Sequence, residues 1–292
     1  MVPTNPGVGW IDWGGDGPPL HLAHGNGFPP GTYRRLAEVL AERYHVVSMA
    51  ARPLWNGDRA PRILGWSQLA DDLREELTAR GLRGIVGVGH SLGAATSLLA
   101  SVEDPGLFSA VVAIDPIVLT GATSVMWGVT KRLGLAGLHP LVRGARVRRR
   151  SWPSRGAVHE AYAGKKMFKS WRHEVFDDYV ESGFEDVDGD GVRLRFPRRW
   201  EARIFEVAPH NLWPQLRRLA VPVLFVQGER SDTFRDEARE RVARELPTAR
   251  VEVVPGAGHF VPMEEPERLG RVILDYLNSL QPEEGGDREP RT

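Results

Sequence analysis

The chain contains no cysteine among its 292 residues. That absence excludes disulfide bonds, thiol nucleophiles and thiolate metal ligands. Acidic and basic residues are equal in number, 38 of each, so the formal net charge at pH 7 is zero. A neutral chain has no overall field that attracts nucleic acid, and we expect no nucleic-acid partner.

Long hydrophobic runs are missing as well. No apolar stretch approaches the roughly 20 residues that a membrane-spanning helix needs. The nearest candidate, at residues 118–129, is interrupted by Gly121, Thr123 and Gly128. Residues 1–6 have neither the basic region nor the apolar region that is typical of a signal peptide. We therefore expect a cytoplasmic protein with no integral membrane association.

The most informative motif is Gly-His-Ser-Leu-Gly at residues 89–93. An apolar, strand-like run precedes it at residues 85–88, and small, helix-favouring residues follow it at 94–100. A serine flanked by glycines between a strand and a helix is typical of a nucleophile elbow, where a sharp turn holds the side chain clear of the sheet. We therefore predict that Ser91 is a catalytic nucleophile.

Short apolar runs alternate with helical patterns along the chain. Because these runs are continuously hydrophobic, they predict strands buried on both faces of a mostly parallel sheet. The expected strands are residues 10–13, 20–23, 45–49, 85–88, 111–114, 223–226 and 251–254. The expected helices are residues 32–43, 67–80, 234–246 and 266–280. A dense turn signal at residues 14–19 predicts a hairpin between the first two strands.

A long segment separates the strand ending at Ile114 from the one opening at Val221. At about a hundred residues it is too long for a single crossover between strands. We interpret it as a cap inserted into the core. It holds five of the nine tryptophans, and residues 118–215 carry 17 basic against 11 acidic side chains. Its aromatic residues either line an acyl pocket or form a small core of the cap itself.

Two further signals are given structural interpretations. Residues 186–191 imitate the start of a calcium loop, but position twelve is Pro197, where a bidentate glutamate is required. The alternating apolar residues around them predict a hairpin instead.

A run of basic side chains lacks any recognition motif for nucleic acid, and we expect it on a solvated cap surface. Its members are Arg143, Arg146, Arg148, Arg149 and Arg150.

The strand order, the elbow, the position of the insertion and the C-terminal pattern resemble the α/β-hydrolase superfamily. The resemblance implies an α/β fold with a mostly parallel central sheet flanked by helices, and a largely helical cap inserted after the sixth core strand. The expected divisions are a core at residues 1–117 and 216–280, a cap at residues 118–215 and a disordered tail at residues 281–292.

The resemblance also implies a triad in the chain order serine, acid, histidine. His259 lies in a glycine-containing loop directly after the last predicted strand, which suits a general base. Two aspartates could orient it, Asp232 beyond the penultimate strand and Asp115 after the strand before the cap. Asp232 matches the more common location and is the preferred acid. Asp115 stays open as the alternative, and Glu229 is a weaker third candidate.

Acyl transfer needs hydrogen-bond donors aimed at the oxyanion. The resemblance implies the backbone N–H of Leu92, which follows the nucleophile, and a second N–H from the His-Gly loop at residues 24–31. Asn26 follows His-Gly in that loop and is the expected donor, with Gly27 as the alternative. His24 is expected to brace the loop rather than to take part in chemistry.

These residues predict a serine hydrolase that cleaves a small-molecule carboxylic ester through an acyl-enzyme, with no cofactor and no metal ion. Serine at the elbow argues against the epoxide and haloalkane chemistry that an aspartate would indicate. Two alternatives stay open. One is a carbon–carbon bond hydrolase of the meta-cleavage type, which uses the same triad on a capped fold. The other is a non-catalytic, hydrolase-like ligand-binding protein.

Overall fold

The computed structural model describes residues 7–55, 62–187, 189 and 191–281. Its strands are β1 (Trp10–Gly14), β2 (Pro19–Ala23), β3 (His45–Met49), β4 (Ile85–His90), β5 (Phe108–Ile114), β6 (Ser151–Trp152), β7 (Phe184–Val187), β8 (Gly191–Leu194), β9 (Val223–Gly228) and β10 (Ala249–Val254). The central sheet has the order β1-β3-β2-β4-β5-β9-β10. Its neighbouring strands are parallel except β1 and β3. The predicted α/β class with a mostly parallel sheet is confirmed.

Helices cover both faces of this sheet and build much of the insertion. They are α1 (Arg34–Leu40), α2 (Ser67–Ala79), α3 (Leu92–Glu103), α4 (Gly121–Arg132), α5 (Pro140–Val147), α6 (Arg155–Ala163), α7 (His173–Ser182), α8 (Arg198–Glu206), α9 (Trp213–Leu216), α10 (Asp236–Glu245), α11 (Val261–Glu264) and α12 (Pro266–Asn278). The predicted helix at residues 32–43 begins instead as a 3-10 turn, Pro30–Tyr33, and continues as α1.

The first strand joins the sheet differently from the prediction. β1 pairs with β3, placing Trp10 opposite Met49, so the expected hairpin between β1 and β2 is wrong. β2 is buried at four of its five residues and pairs with β3 on one side and β4 on the other. Because both edges of β2 are already hydrogen-bonded, β1 takes the free outer edge of β3.

Side chains of the central strands alternate between two apolar clusters on opposite faces of the sheet. In β5, Val112 and Ile114 join the cluster that includes residues of α1 and α12. Val111 and Ala113 join the cluster that includes residues of α2, α3 and α10. This period of two, with both faces covered, explains the continuous hydrophobicity of the strands. Each fully buried valine or isoleucine contributes about 1.5–3 kcal/mol to stability.

The insertion lies between β5 and β9 and contains α4 to α9 and a small antiparallel sheet of order β6-β8-β7. The predicted hairpin is present as β7 and β8, while Asp188 and Asp190 of its turn lie outside the described residues. Counted within the described chain, the insertion follows the fifth strand of the sheet rather than the sixth.

The boundaries of core and cap stay predictions. Apart from Gln281, the predicted tail lies outside the described residues. Within the described ranges, no helix is both long and apolar enough to cross a bilayer.

Candidate active site

The elbow at Ser91 has the backbone geometry that its sequence predicts. Ser91 sits between the end of β4 and the first residue of α3, with φ 54° and ψ −110°. A positive φ is uncommon for a residue with a Cβ and is found at strained functional turns. The backbone N–H of Ser91 donates to the Ile114 carbonyl at 2.9 Å, which ties the turn to the end of β5.

The glycines on either side of Ser91 allow close backbone approach. A Cβ at Gly89 would lie 2.4 Å from the carbonyl carbon of Gly93, and a Cβ at Gly93 would lie 2.3 Å from the carbonyl oxygen of Ala23. Both distances are far below a van der Waals contact. The motif needs glycine at these positions because strand, helix and the neighbouring loop meet there.

The structure brings Ser91, His259 and Asp115 together. His259 Nε2 lies 3.2 Å from Ser91 Oγ, and His259 Nδ1 lies 3.0 Å from Asp115 Oδ2. With a proton on Nδ1, His259 donates to Asp115 and accepts from the Ser91 hydroxyl. This is the arrangement of nucleophile, base and orienting acid that a catalytic triad requires.

The preference for Asp232 as the acid is corrected by this geometry. Asp232 is exposed, and its carboxylate contacts the hydroxyl of its neighbour Thr233 at 3.4 Å. Asp115 is fully buried and accepts a second hydrogen bond from the backbone N–H of Phe234 at 3.3 Å. Glu229 accepts from the backbone N–H of Gly256 at 2.7 Å, so it braces the loop that carries His259.

The sequence alone did not distinguish the two aspartates, because both follow strands that are neighbours in the sheet. Asp115 comes immediately after β5 and Asp232 comes four residues after β9, so both loops open at the same edge. One signal favoured Asp115: a carboxylate directly after the buried strand β5 needs a partner, because an unpaired buried charge is costly. Asp115 also has φ 44°, a conformation that aspartate tolerates better than most residues.

The predicted oxyanion residues lie on two adjoining segments. Leu92 opens α3, where a first-turn N–H has no partner within the helix. Asn26 follows β2, which is hydrogen-bonded to β4 with Ala23 opposite Gly89. The Asn26 side chain turns to the insertion and donates to the Glu201 carbonyl at 3.1 Å. Asn26 Oδ1 is buried without a hydrogen-bond partner.

A buried chain of hydrogen bonds connects the segments around Ser91, and sequence reasoning missed two of its members. The Gly25 N–H donates to the Tyr33 hydroxyl at 2.8 Å, and that hydroxyl donates to His90 Nδ1 at 2.8 Å. His90 Nε2–H donates to the His259 carbonyl at 2.9 Å. Tyr33 and His90 thereby connect the His-Gly loop, the elbow and the loop of His259. The sequence signal for His90 was its place beside the nucleophile.

Burial keeps the supporting histidines neutral. Burial lowers the pKa of His24 to about 4. It also places the pKa of His90 well below its ordinary value, and the neighbouring His259 lowers the pKa of His90 further. His24 Nδ1–H donates to the Gly25 carbonyl at 2.9 Å, and Nε2 accepts the Ala51 N–H at 2.9 Å. Burial raises the pKa of Asp115, and the hydrogen bond from His259 acts in the opposite direction.

Aromatic rings cover the His259 side of the site. Phe260 packs against His259 with centroids 5.1 Å apart, and Phe28 packs against Phe260 at 5.4 Å. Trp171 of the insertion contacts both phenylalanines, and its Nε1 is buried without a hydrogen-bond partner. The rings of the insertion therefore continue into the core at the site, and Ser91 is only 6% exposed.

One buried ion pair lies beside the His-Gly loop. Arg148 Nη1 is 2.9 Å from Glu201 Oε2, with side chains 14% and 13% exposed. A Cβ at Gly27 would lie 3.2 Å from Glu201 and 3.7 Å from Arg148, so the pair touches the loop. The expectation that Arg148 lies on a solvated surface is therefore wrong. Burial alone would lower the pKa of Arg148, but Tyr179 and Glu201 raise it on balance, and the guanidinium stays charged.

Among the described residues, a group of side chains with the spacing of metal ligands is found at His159, His173 and Asp177. It lies on α6 and α7 of the insertion and shares no residue with Ser91, His259 and Asp115.

Comparisons with known proteins agree with this architecture. The sequence profile described as the alpha/beta hydrolase family matches residues 22–272. A protein named 2-(acetamidomethylene)succinate hydrolase, from Mesorhizobium japonicum, is 27% identical over 265 residues, covering 91% of this chain and 90% of that protein. The esterase YbfF of Escherichia coli is 25% identical over 263 residues, covering 89% of this chain and 93% of its own. A crystal structure of E-2-(acetamidomethylene)succinate hydrolase superimposes with a TM-score of 0.78 at 24% identity, covering 93% and 95% of the two chains.

Proposed function

The chain belongs to the alpha/beta hydrolase family, and on that premise we propose that it is a serine hydrolase that cleaves a carboxylic ester through an acyl-enzyme on Ser91. The observation that carries the proposal is the pair of contacts made by His259, at 3.2 Å to Ser91 Oγ and at 3.0 Å to Asp115 Oδ2. A binding protein without catalysis has no physical need for all three groups in this order.

In the first half-reaction, Ser91 Oγ attacks the ester carbonyl carbon while His259 Nε2 accepts the hydroxyl proton. The carbonyl oxygen becomes an oxyanion, for which we assign the backbone N–H groups of Leu92 and Asn26 as donors. Asp115 holds the proton on His259 Nδ1 and stabilises the imidazolium. His259 then returns its proton to the departing alkoxide, which leaves as an alcohol.

In the second half-reaction, water replaces the alcohol. The water oxygen attacks the acyl carbon while His259 accepts a proton from the water. The bond between the acyl carbon and Ser91 Oγ then breaks. Proton return to Ser91 Oγ releases the carboxylic acid and restores the starting state. His90 Nε2–H donates to the His259 carbonyl, and this hydrogen bond holds the loop that carries His259 in place during both proton transfers.

The surroundings of His259 favour an apolar acyl or alcohol group. The rings of Phe28, Phe260 and Trp171 form the aromatic cover described above, and apolar walls with few polar groups are typical of pockets for such ligands. The Arg148 guanidinium, which lies beside the His-Gly loop, is already paired with Glu201. A neutral ester is therefore the preferred substrate class.

A second candidate is hydrolysis of an acid that carries an acylated amine. It is favoured by the similarity to 2-(acetamidomethylene)succinate hydrolase over 91% of this chain, since that name describes a succinate bearing an acetamidomethylene group. The same triad can transfer an acyl group to water from an amine leaving group as well as from an alcohol leaving group. The excess of basic residues in the insertion agrees with an anionic substrate.

The test compares the natural chain with Ser91→Ala and Ser97→Ala on p-nitrophenyl esters from acetate to palmitate. Ser97 is the matched control because its hydroxyl is buried in α3, the helix that follows Ser91, without a hydrogen-bond partner. We expect Ser91→Ala to lower kcat/KM by at least about 10⁴-fold, while Ser97→Ala stays within about twofold.

The same proteins are assayed on E-2-(acetamidomethylene)succinate. Turnover at least about 100-fold faster than on the best ester would replace the ester proposal by the second candidate. Failure of the folded natural chain on every ester and on this acid would overturn both.

A further inference from the structure

Two histidines and an aspartate converge on one side of the insertion. His159 lies on α6, and His173 and Asp177 lie four residues apart on α7, so that both face the same side of that helix. We propose that these three side chains bind a transition metal ion, with zinc as the best fit, at a structural site that joins α6 to α7. The proposal is independent of the reaction catalysed at Ser91.

The donor atoms have nearly the spacing that zinc requires. His159 Nε2 lies 3.3 Å from Asp177 Oδ1, and His173 Nδ1 lies 3.0 Å from Asp177 Oδ2. All the donor atoms are within 4.8 Å of one another. A tetrahedral zinc ion with bonds of about 2.0–2.1 Å sets neighbouring donors about 3.3 Å apart. Small side-chain rotations would close the remaining gap between the two imidazoles.

The scaffold holds the ligands near these positions. The His159 ring packs on Phe176 of α7 with centroids 4.7 Å apart, and it lies 5.7 Å from the His173 ring. His173 is the first residue of α7, and the backbone N–H of the preceding Arg172 donates to the Met263 carbonyl at 2.9 Å. The start of α7 is therefore anchored to the core, and the packing on Phe176 reduces the freedom that His159 loses on binding an ion.

The donor chemistry selects the ion. Two imidazole nitrogens and one carboxylate oxygen suit zinc, cobalt and nickel, whereas magnesium and calcium prefer oxygen ligands alone. Since His173 and Asp177 are largely exposed, an ion can enter from solvent and keep water at its fourth position. The competing explanation is a pair of surface His–Asp contacts with no metal, which are worth little at an exposed site.

A metal here would restrain the part of the insertion that covers the active site. α7 also carries Tyr179, which contacts Trp171 and Phe28 in the aromatic cover. Tying α6 to α7 would limit the movement of this helix pair. We therefore expect zinc to slow amide hydrogen exchange in α6 and α7 more than in α10 and α12, which are distant in the chain and packed on the central sheet.

The test is titration of the full chain, treated with EDTA and dialysed, with ZnCl₂ by calorimetry and with CoCl₂ by visible absorption. The variants are His159→Gln, His173→Gln and Asp177→Asn. His45→Gln is the matched control, because His45 and Asp12 form a similar exposed pair at 2.9 Å that has no third ligand in the described structure.

We expect one zinc ion per natural chain, a tetrahedral cobalt spectrum and a rise in Tm with zinc. Each of the three ligand variants should lower zinc affinity at least about tenfold, while His45→Gln leaves it unchanged. Circular dichroism of the metal-free variants checks that they remain folded. Absence of zinc binding by the natural chain, or equal binding by all variants, would overturn the proposal.

Discussion

The loops around Ser91 and the insertion that covers them stabilise their buried polar groups in different ways. In the core loops, neutral groups form directional hydrogen bonds, as in the chain from Gly25 through Tyr33 and His90 to the His259 carbonyl. In the insertion, the charged pair of Arg148 and Glu201 is buried among tyrosines. Directional bonds between neutral groups fix atomic positions, which catalysis needs. The ion pair instead holds the residue after α5 against α8, and a buried ion pair costs more if one partner is lost.

The largest effect should follow from Asp115, the proposed acid of the triad. Asp115→Asn keeps the shape of the side chain but no longer holds the proton on His259 Nδ1, so we expect kcat to fall by about 10³–10⁴-fold. Asp232→Asn is the matched control and should stay within about twofold, because Asp232 is exposed and contacts Thr233. Steady-state kinetics on the best ester measure both. The reverse order of effects would show that the loop after β9 rearranges to supply the acid.

That prediction also marks where sequence reasoning ends. Ser91 and His259 could be predicted as a pair because each is the one residue of its type in a distinctive position, at an elbow and directly after the last strand. The carboxylate that contacts His259 could not be predicted, because β5 and β9 are adjacent and both loops could reach His259. The reach of a loop depends on packing that no local pattern records. The same holds for β1, whose partner β3 is decided by which sheet edge remains free.

The insertion was less predictable than the core. Its aromatic residues could be counted but not assigned, since a buried ring has the same sequence signature in a pocket wall and in a core. In the structure these rings share one buried cluster: Trp152, Tyr162 and Phe184 pack on one another, and Trp171 reaches Phe28 of the core. Burial of Arg148 was also missed, because its partner Glu201 is distant in sequence and only the fold brings them together.

A stability measurement can test the buried ion pair. Glu201→Gln leaves the Arg148 guanidinium charged and buried beside a neutral amide, and we expect the free energy of unfolding to fall by about 3 kcal/mol. Glu206→Gln is the control on the same helix, because Glu206 pairs with the more exposed Arg146 and Arg203, and should cost about 1 kcal/mol or less. Urea unfolding gives both values. Equal losses would mean that the pair is solvated in solution and that the contrast with the core loops is wrong.

The neutral histidines of the core predict an acid-sensitive stability. Burial lowers the pKa of His21 to about 3 and that of His24 to about 4. Between those values and about 6.5 the unfolded chain binds protons that the folded chain does not, so stability falls as pH is lowered through this window. By pH 5 the loss is about 2 kcal/mol for each such histidine. Asp115, whose pKa is raised by burial, acts in the opposite sense.

Urea unfolding at pH 7 and pH 5 measures this loss, and His21→Gln should reduce the difference between the two pH values by about 2 kcal/mol. The variant's stability at a single pH does not enter the test, since only the difference is compared. An unfolding free energy that is unchanged by acid would show that these histidines are protonated or solvated in the folded chain.

The smallest effect should come from Tyr33→Phe, and it separates positioning from simple packing. The ring is kept, but the Gly25 N–H and His90 Nδ1 both lose their partner, so we expect a loss of about 1–2 kcal/mol in stability. Because the hydroxyl connects the His-Gly loop to the elbow, kcat should also fall by about tenfold with little change in KM, since the donors to the oxyanion are less well placed. Tyr276→Phe is the matched control, because the Tyr276 hydroxyl is buried without a hydrogen-bond partner and its removal should be neutral or slightly stabilising. If Tyr33 has only a structural role, stability falls while kcat stays unchanged. That result would mean that the buried chain of hydrogen bonds contributes to folding and not to catalysis.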